Sequence, residues 1–103
     1  MCVVGDYAHE SIPAQSKSQK FTAEERQKIN DLGEQFGCHT CGSKDPMSKG
    51  GNFVPDHQPI SSWVPDGTPQ RLYPQCLPCS RQQAGWARQL APIMRPLYES
   101  KGK

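Results

Sequence analysis

No apolar run in this chain approaches the ~18 residues that a membrane span requires, and Met1–Asp6 is too short to serve as a signal peptide. The chain is therefore expected to be soluble, either cytoplasmic or delivered into the cytoplasm of a target cell. Apolar residues are scarce, 34% of 103, and aromatics make up 8%. A strong charge of one sign is also missing. Twelve Lys and Arg face ten Asp and Glu, for a net charge of +2 and a pI near 8.3. That balance admits nucleic acid as a partner without demanding it. Neither C-x-x-C element lies in a thioredoxin-like βαβ pattern, which argues against a redox pair. The zinc-deaminase signature is absent too, because Gln58-Pro59 follows His57 and Gln75, not proline, precedes Cys76.

Against these absences stand nine Gly, ten Pro and five Cys. So thin a core in so broken a chain does not meet the entropy cost of folding alone, and domains of this kind need a staple. Cys38-His39-Thr40-Cys41 and Cys76-Leu77-Pro78-Cys79 supply one. Two intervening residues turn both thiolates of a knuckle toward one point, and four such thiolates suit a tetrahedral zinc ion with ~2.3 Å bonds. Two disulfides are the rival pattern. Cys2 is left over as a free terminal thiol.

Residues 1–20 are polar and aperiodic and read as a flexible leader in which His9 and Glu10 have no function. Residues 21–103 read as a single zinc-stabilised domain. Phe21 to Phe36 carries the clearest helix signal. Thr22 at the N-cap and Glu25 three positions later form a capping box, Ile29, Leu32 and Phe36 make one stripe, and Gly37 stops the helix before Cys38. Residues 42–52 are a loop. Phe53-Val54 is extended and pairs with Arg71-Leu72-Tyr73, while Trp63 between them is a packing anchor. A second helix starts near Ser80, with Trp86, Leu90, Ile93 or Met94, and Leu97 at helical spacing. Pro92 and Pro96 are expected to break it near Leu90–Ala91. The Trp86–Leu97 stripe serves either a core or the seam of a homodimer. Knuckle, hairpin, knuckle, helix is an α+β arrangement of treble-clef type.

Asp56-His57 lies between the knuckles, fourteen residues after Cys41 and eighteen before Cys76. From Gly37 to Gln83 the order Cys-x-x-Cys, Asp-His, Cys-x-x-Cys resembles the zinc-bearing HNH nucleases, the recombination endonuclease VII group above all. The run from Gly37 to Gly42 and Tyr73-Pro74-Gln75-Cys76 also look like nuclease domains of bacterial polymorphic toxins. The resemblance implies a metal-dependent endonuclease. In it Cys38, Cys41, Cys76 and Cys79 hold structural zinc, His57 is the general base, and Asp56 helps hold a catalytic divalent ion such as Mg²⁺. It further implies nucleic acid as partner, DNA ahead of RNA, and an immunity protein if the chain is a toxin domain.

The pattern departs from the family at Ser80, where the family has Asn or His. The replacement leaves open altered metal geometry, metal-independent chemistry, or a dead nuclease that only binds. Gln83 (or Gln82), in the first turn of the second helix, offers an amide oxygen instead. Other readings of the same residues stand beside these. His57 is alternatively a zinc ligand or a structural histidine, Asp56 a turn cap, and His39 a surface residue or an outer contact, not a base. Arg81, Arg88 and Arg95 recur at seven-residue steps, and with Arg71, Lys44 and Lys49 they suggest a phosphate-tracking surface. An ordinary solvated face is the alternative. The rival to the nuclease is a non-catalytic zinc module that binds nucleic acid or a protein.

Overall fold

The computed structural model describes residues 4–18 and 20–101, so Cys2 lies outside the described residues. Strand β1 (Ile12–Pro13) leads to helix α1 (Ala23–Phe36), strand β2 (Val54–Gln58), a short 3₁₀ turn (Ser61–Trp63), strand β3 (Arg71–Gln75) and helix α2 (Leu77–Lys101). The sheet is antiparallel in the order β1-β3-β2, with Asp56 opposite Tyr73 and His57 opposite Leu72.

Helix α1 begins as its sequence dictates. Thr22 Oγ1 accepts from the Glu25 N–H at 3.0 Å, and Glu25 Oε1 accepts from the Thr22 N–H at 2.9 Å. Gly37 ends it at φ +83°, donating to Gly33 O. A Cβ at Gly37 would lie 2.4 Å from Gly42 O, so the left-handed stop also lets the helix run straight into the first knuckle. The hairpin departs from the expected pairing of Phe53-Val54 with Arg71-Leu72-Tyr73. Phe53 lies outside β2, Val54 pairs with Gln75, and Arg71, Leu72 and Tyr73 face Gln58, His57 and Asp56, because pairing continues through Pro55, whose missing N–H is tolerated on this outer strand.

Two expectations need correction. The segment taken as a flexible leader docks on the domain. Ile12 pairs with Leu72, Ala14 N–H donates to Gln70 O, and His9 stacks on Phe36 with ring centres 4.6 Å apart. The free edge of β3 offers unpaired backbone groups, and the half-buried Ile12 has an apolar cluster to cover, so the arm gains both by lying down. Helix α2 starts at Leu77, within the second knuckle, and runs unbroken through Pro92 and Pro96. Both prolines are exposed, so water can satisfy the carbonyls they leave unpaired. The opposite face, Ala87, Ala91 and Met94, is clamped on Trp63, whose indole donates to Ala87 O at 2.8 Å. Packing there outweighs the local preference of proline.

Buried side chains fall into two clusters. One joins Ile29, Cys38, Phe53, Leu72 and Cys76 beneath α1. The other joins Ile60, Trp63, Val64, Ala87, Ala91 and Met94 along α2, with Trp86 and Leu90 packed on it. Part of the Trp86–Leu97 stripe is thus core, while Ile93 and Leu97 are exposed. None of the described helices is long and apolar enough to cross a membrane.

Candidate metal centre and active site

The two knuckles meet. His39 N–H donates to Pro74 O, Leu77 N–H donates to Pro46 O, and Gln75 Nε2 donates to Thr40 Oγ1. These bonds bring the sulfurs of Cys38, Cys41, Cys76 and Cys79 within 4.8 Å of one another. All four are free thiols. The Cys41 and Cys76 sulfurs are 3.7 Å apart, far beyond a disulfide of ~2.05 Å and close to the ~3.8 Å edge of a tetrahedron with 2.3 Å zinc–sulfur bonds. The donor set therefore fits a zinc ion.

Electrostatics favour the same conclusion. Burial pushes the Cys38 thiol up, but N–H groups directed at its sulfur, that of Thr40 at 3.4 Å among them, more than offset this, and its pKa falls from 9.0 to about 7. The other side of the cluster responds oppositely. Cys76 and Cys79 are both raised, by burial first; at Cys76 the Cys79 N–H and thiol partly offset this, at Cys79 the neighbouring thiols add to it, and the Cys38 charge raises both. The cluster readily carries one negative charge but resists more, and a dication removes that resistance.

Behind the knuckles, β2 sends alternate side chains to opposite faces. Asp56 turns toward α2. Its Oδ2 accepts from His39 Nε2 at 2.9 Å and Gln58 Nε2 at 2.6 Å, and its Oδ1 accepts from Gln83 Nε2 at 2.6 Å. Three N–H donors on one carboxyl group is the arrangement of a carboxylate, and they use three of its roughly four acceptor positions. The Gly5 N–H donates to His39 Nδ1 at 2.9 Å, so that nitrogen is bare, Nε2 carries the proton and the ring is neutral. His39 is only 1% exposed. It is a buried partner of Asp56, not a surface residue.

His57 turns the other way, against Phe21. Its Nε2 lies 2.7 Å from Ser16 O, and since a carbonyl can only accept, Nε2 carries the proton there as well. Nδ1 is then a bare lone pair, buried and without a partner in the structure. Neither His57 nor His39 belongs to the sulfur cluster, so the reading of His57 as a zinc ligand drops out.

Between β2, the 3₁₀ turn and α2 lies a cavity of about 410 Å³ whose walls include Asp56, His57, Ser80, Gln83 and Arg88. Four candidate site residues from the sequence thus share one hollow with two candidate phosphate contacts, Arg88 and Arg95. The other basic candidates lie elsewhere. Arg71 is committed to Ser11, donating to its hydroxyl and carbonyl oxygens. Lys44, Lys49 and Arg81 are exposed and do not line the cavity. Arg95 does line it, with Nε 2.6 Å from Ser62 O. Sequence reasoning missed Gln58 and Gln75, whose Nε2 atoms each sit 3.4 Å from Gln83 Oε1. The period of two starting from Asp56 points to Gln58, since both must share one face. Nothing local signals the Gly5 amide or the Ser16 carbonyl. Comparison with family models, with curated proteins and with solved structures finds no match.

Proposed function

We propose that this chain is a treble-clef zinc domain acting as a metal-dependent endonuclease of HNH type, with nucleic-acid phosphodiesters as substrate. The observation that carries the reading is that Asp56 and His57, adjacent on β2, both contribute to the wall of one cavity, the first as a carboxylate held by three donors, the second, its ring turned toward Phe21, as an imidazole whose Nδ1 is bare and unpartnered. A buried polar atom without a partner is rare in a folded protein unless water or a ligand completes it. In this reading His57 Nδ1 takes a proton from a water molecule as that water attacks the scissile phosphorus, and the phosphorus–oxygen bond opposite breaks, its oxygen leaving with the departing strand and taking a proton from solvent water. Asp56 has one acceptor position left for a hard cation such as Mg²⁺. Gln83, with its amide turned end for end, and Ser80 are the neighbours that can share in holding it. The ion, when bound, neutralises charge that builds on the phosphate. Arg88 on the cavity wall holds the phosphate backbone.

The rival is a non-catalytic zinc module that binds nucleic acid or a protein partner. It is favoured by the burial of His57, which is 4% exposed. Incubating the zinc-loaded protein with plasmid and with total RNA, with Mg²⁺, Mn²⁺ or chelator, separates the two. We expect cleavage that disappears in His57→Ala and Asp56→Ala while the zinc content stays at one per chain. Equal cleavage by wild type and His57→Ala, or none under any condition, leaves the binding module.

A further inference from the structure

Both imidazoles of the site are held by main-chain groups of the segment that precedes α1. The Gly5 N–H faces His39 Nδ1 and the Ser16 carbonyl faces His57 Nε2, 34 and 41 residues away in sequence. A ring nitrogen that accepts forces its proton to the other nitrogen, and one that donates to a carbonyl keeps its own. The arm therefore sets which end of each ring is bare. His39 points its N–H at Asp56, and His57 leaves Nδ1 open. Neither ring gains or loses a proton in this; only the position of the proton is fixed.

We infer that residues 5–17 form a positioning arm, in which Gly5 and Ser16 preset the tautomers of His39 and His57, so that the site is complete only while the arm is docked. The inference rests on the nuclease reading for its consequence in catalysis, but not for its effect on the rings. The attachment of the arm is specific. Arg71 grips Ser11, Lys17 Nζ donates to Val64 O at 2.8 Å and meets Asp66 at 3.1 Å, and Tyr7 N–H donates to His39 O. Gly5 is itself required. A Cβ there would lie 1.9 Å from His39 O and 2.5 Å from the Thr40 Cα, so even alanine pushes the arm off the ring. Two clamps fix the arm: Arg71 of β3 reaches Ser11 in it, and Lys17 of the arm reaches Val64 O and Asp66.

The test uses the zinc-loaded full chain and ¹⁵N-edited NMR of the imidazole rings at one fixed pH, which distinguishes the two tautomers directly. Wild type should show the Nε2–H form for both rings. Gly5→Ala should move the His39 ring toward the mixture found in free histidine and leave His57 close to wild type. Lys17→Ala with Arg71→Ala should do the reverse, and Lys17→Ala alone should move His57 in the same direction by less. Nuclease turnover should then fall about tenfold, with KM changed by less than about twofold, since loss of an orienting partner costs activity on this scale. Rings that keep the wild-type tautomers in all three variants overturn the inference. So does a loss of turnover that merely follows the unfolded fraction measured by circular dichroism. A wild-type protein with no nuclease activity ends the nuclease reading and leaves the rings alone to decide the arm.

Discussion

The two ends of the molecule are held together by different physics. At one end Cys38 and Cys76 sit among Ile29, Phe53 and Leu72, and the sulfurs can close on a zinc ion. At the other, Trp63 is sealed by Ala87, Ala91 and Met94, and its indole donates to Ala87 O. The first end gathers segments far apart in the chain, and it depends on a ligand that is free to leave. The second is ordinary apolar packing of one helix on one turn. Strand β2 runs between them, and Asp56 and His57 lie where the two meet, so the site depends on both.

Metal removal is the most severe way to break this contrast. Structural zinc is worth about 10–16 kcal/mol in small domains, as much as the ~5–15 kcal/mol that holds a whole domain. Stripping the ion, or Cys76→Ser, should unfold the chain, with loss of helical circular dichroism. A spectrum unchanged at zero bound metal would mean that the cysteine end stands on its own apolar contacts.

Trp63→Ala attacks the other end and should cost about 3–5 kcal/mol. If the ends are distinct, the variant melts earlier yet keeps one zinc per chain by elemental analysis. Equal loss of metal and of packing would merge the two clusters into one.

Acid should weaken the cysteine end. The Cys38 pKa falls from 9.0 to about 7 in the folded protein, so its contribution is present above pH 9 and lost as pH falls through 7. Below 7, a bound ion must displace its proton, at about 1.4 kcal/mol for each pH unit. Chelator competition between pH 8 and pH 5 should show affinity falling steadily. Affinity that is flat or rises toward pH 5 contradicts thiolate ligation.

Thr22→Ala is the mildest change, about 1 kcal/mol through loss of the capping bond. It should lower the melting temperature and leave zinc content and the ring tautomers of both histidines alone, because the cap sits at the far end of α1 from Cys38.

What could be read from the sequence was local. The capping box, the Gly37 stop and the two knuckles are each spelled by residues a few positions apart, and all are found in the structure, whereas the hairpin forms with other partners than Phe53-Val54 suggested. What could not be read was long-range. Pro92 and Pro96 look like breaks until Trp63 is packed behind them, and the first residues look loose until the edge of β3 is seen to need a partner. The site divides the same way. Asp56, His57, Ser80 and Gln83 were legible as a group and share one cavity. His39, read as a surface residue or an outer contact, holds the carboxylate as the second of these, because the fold lays the first knuckle against β2. The basic residues were the least legible, since a guanidinium suits a phosphate and a backbone carbonyl equally well. Arg71 has the carbonyl.

Trp63 and Trp86 are the only indoles in the chain, and their rings lie 5.9 Å apart at 50°. One is closed to solvent and the other partly open, so any loosening of α2 wets the inner ring and shifts its emission to longer wavelength. The sulfur cluster has no such chromophore beside it. The molecule thus carries an optical gauge at one end alone, and light reports whether that end has come undone while the other still grips its ion.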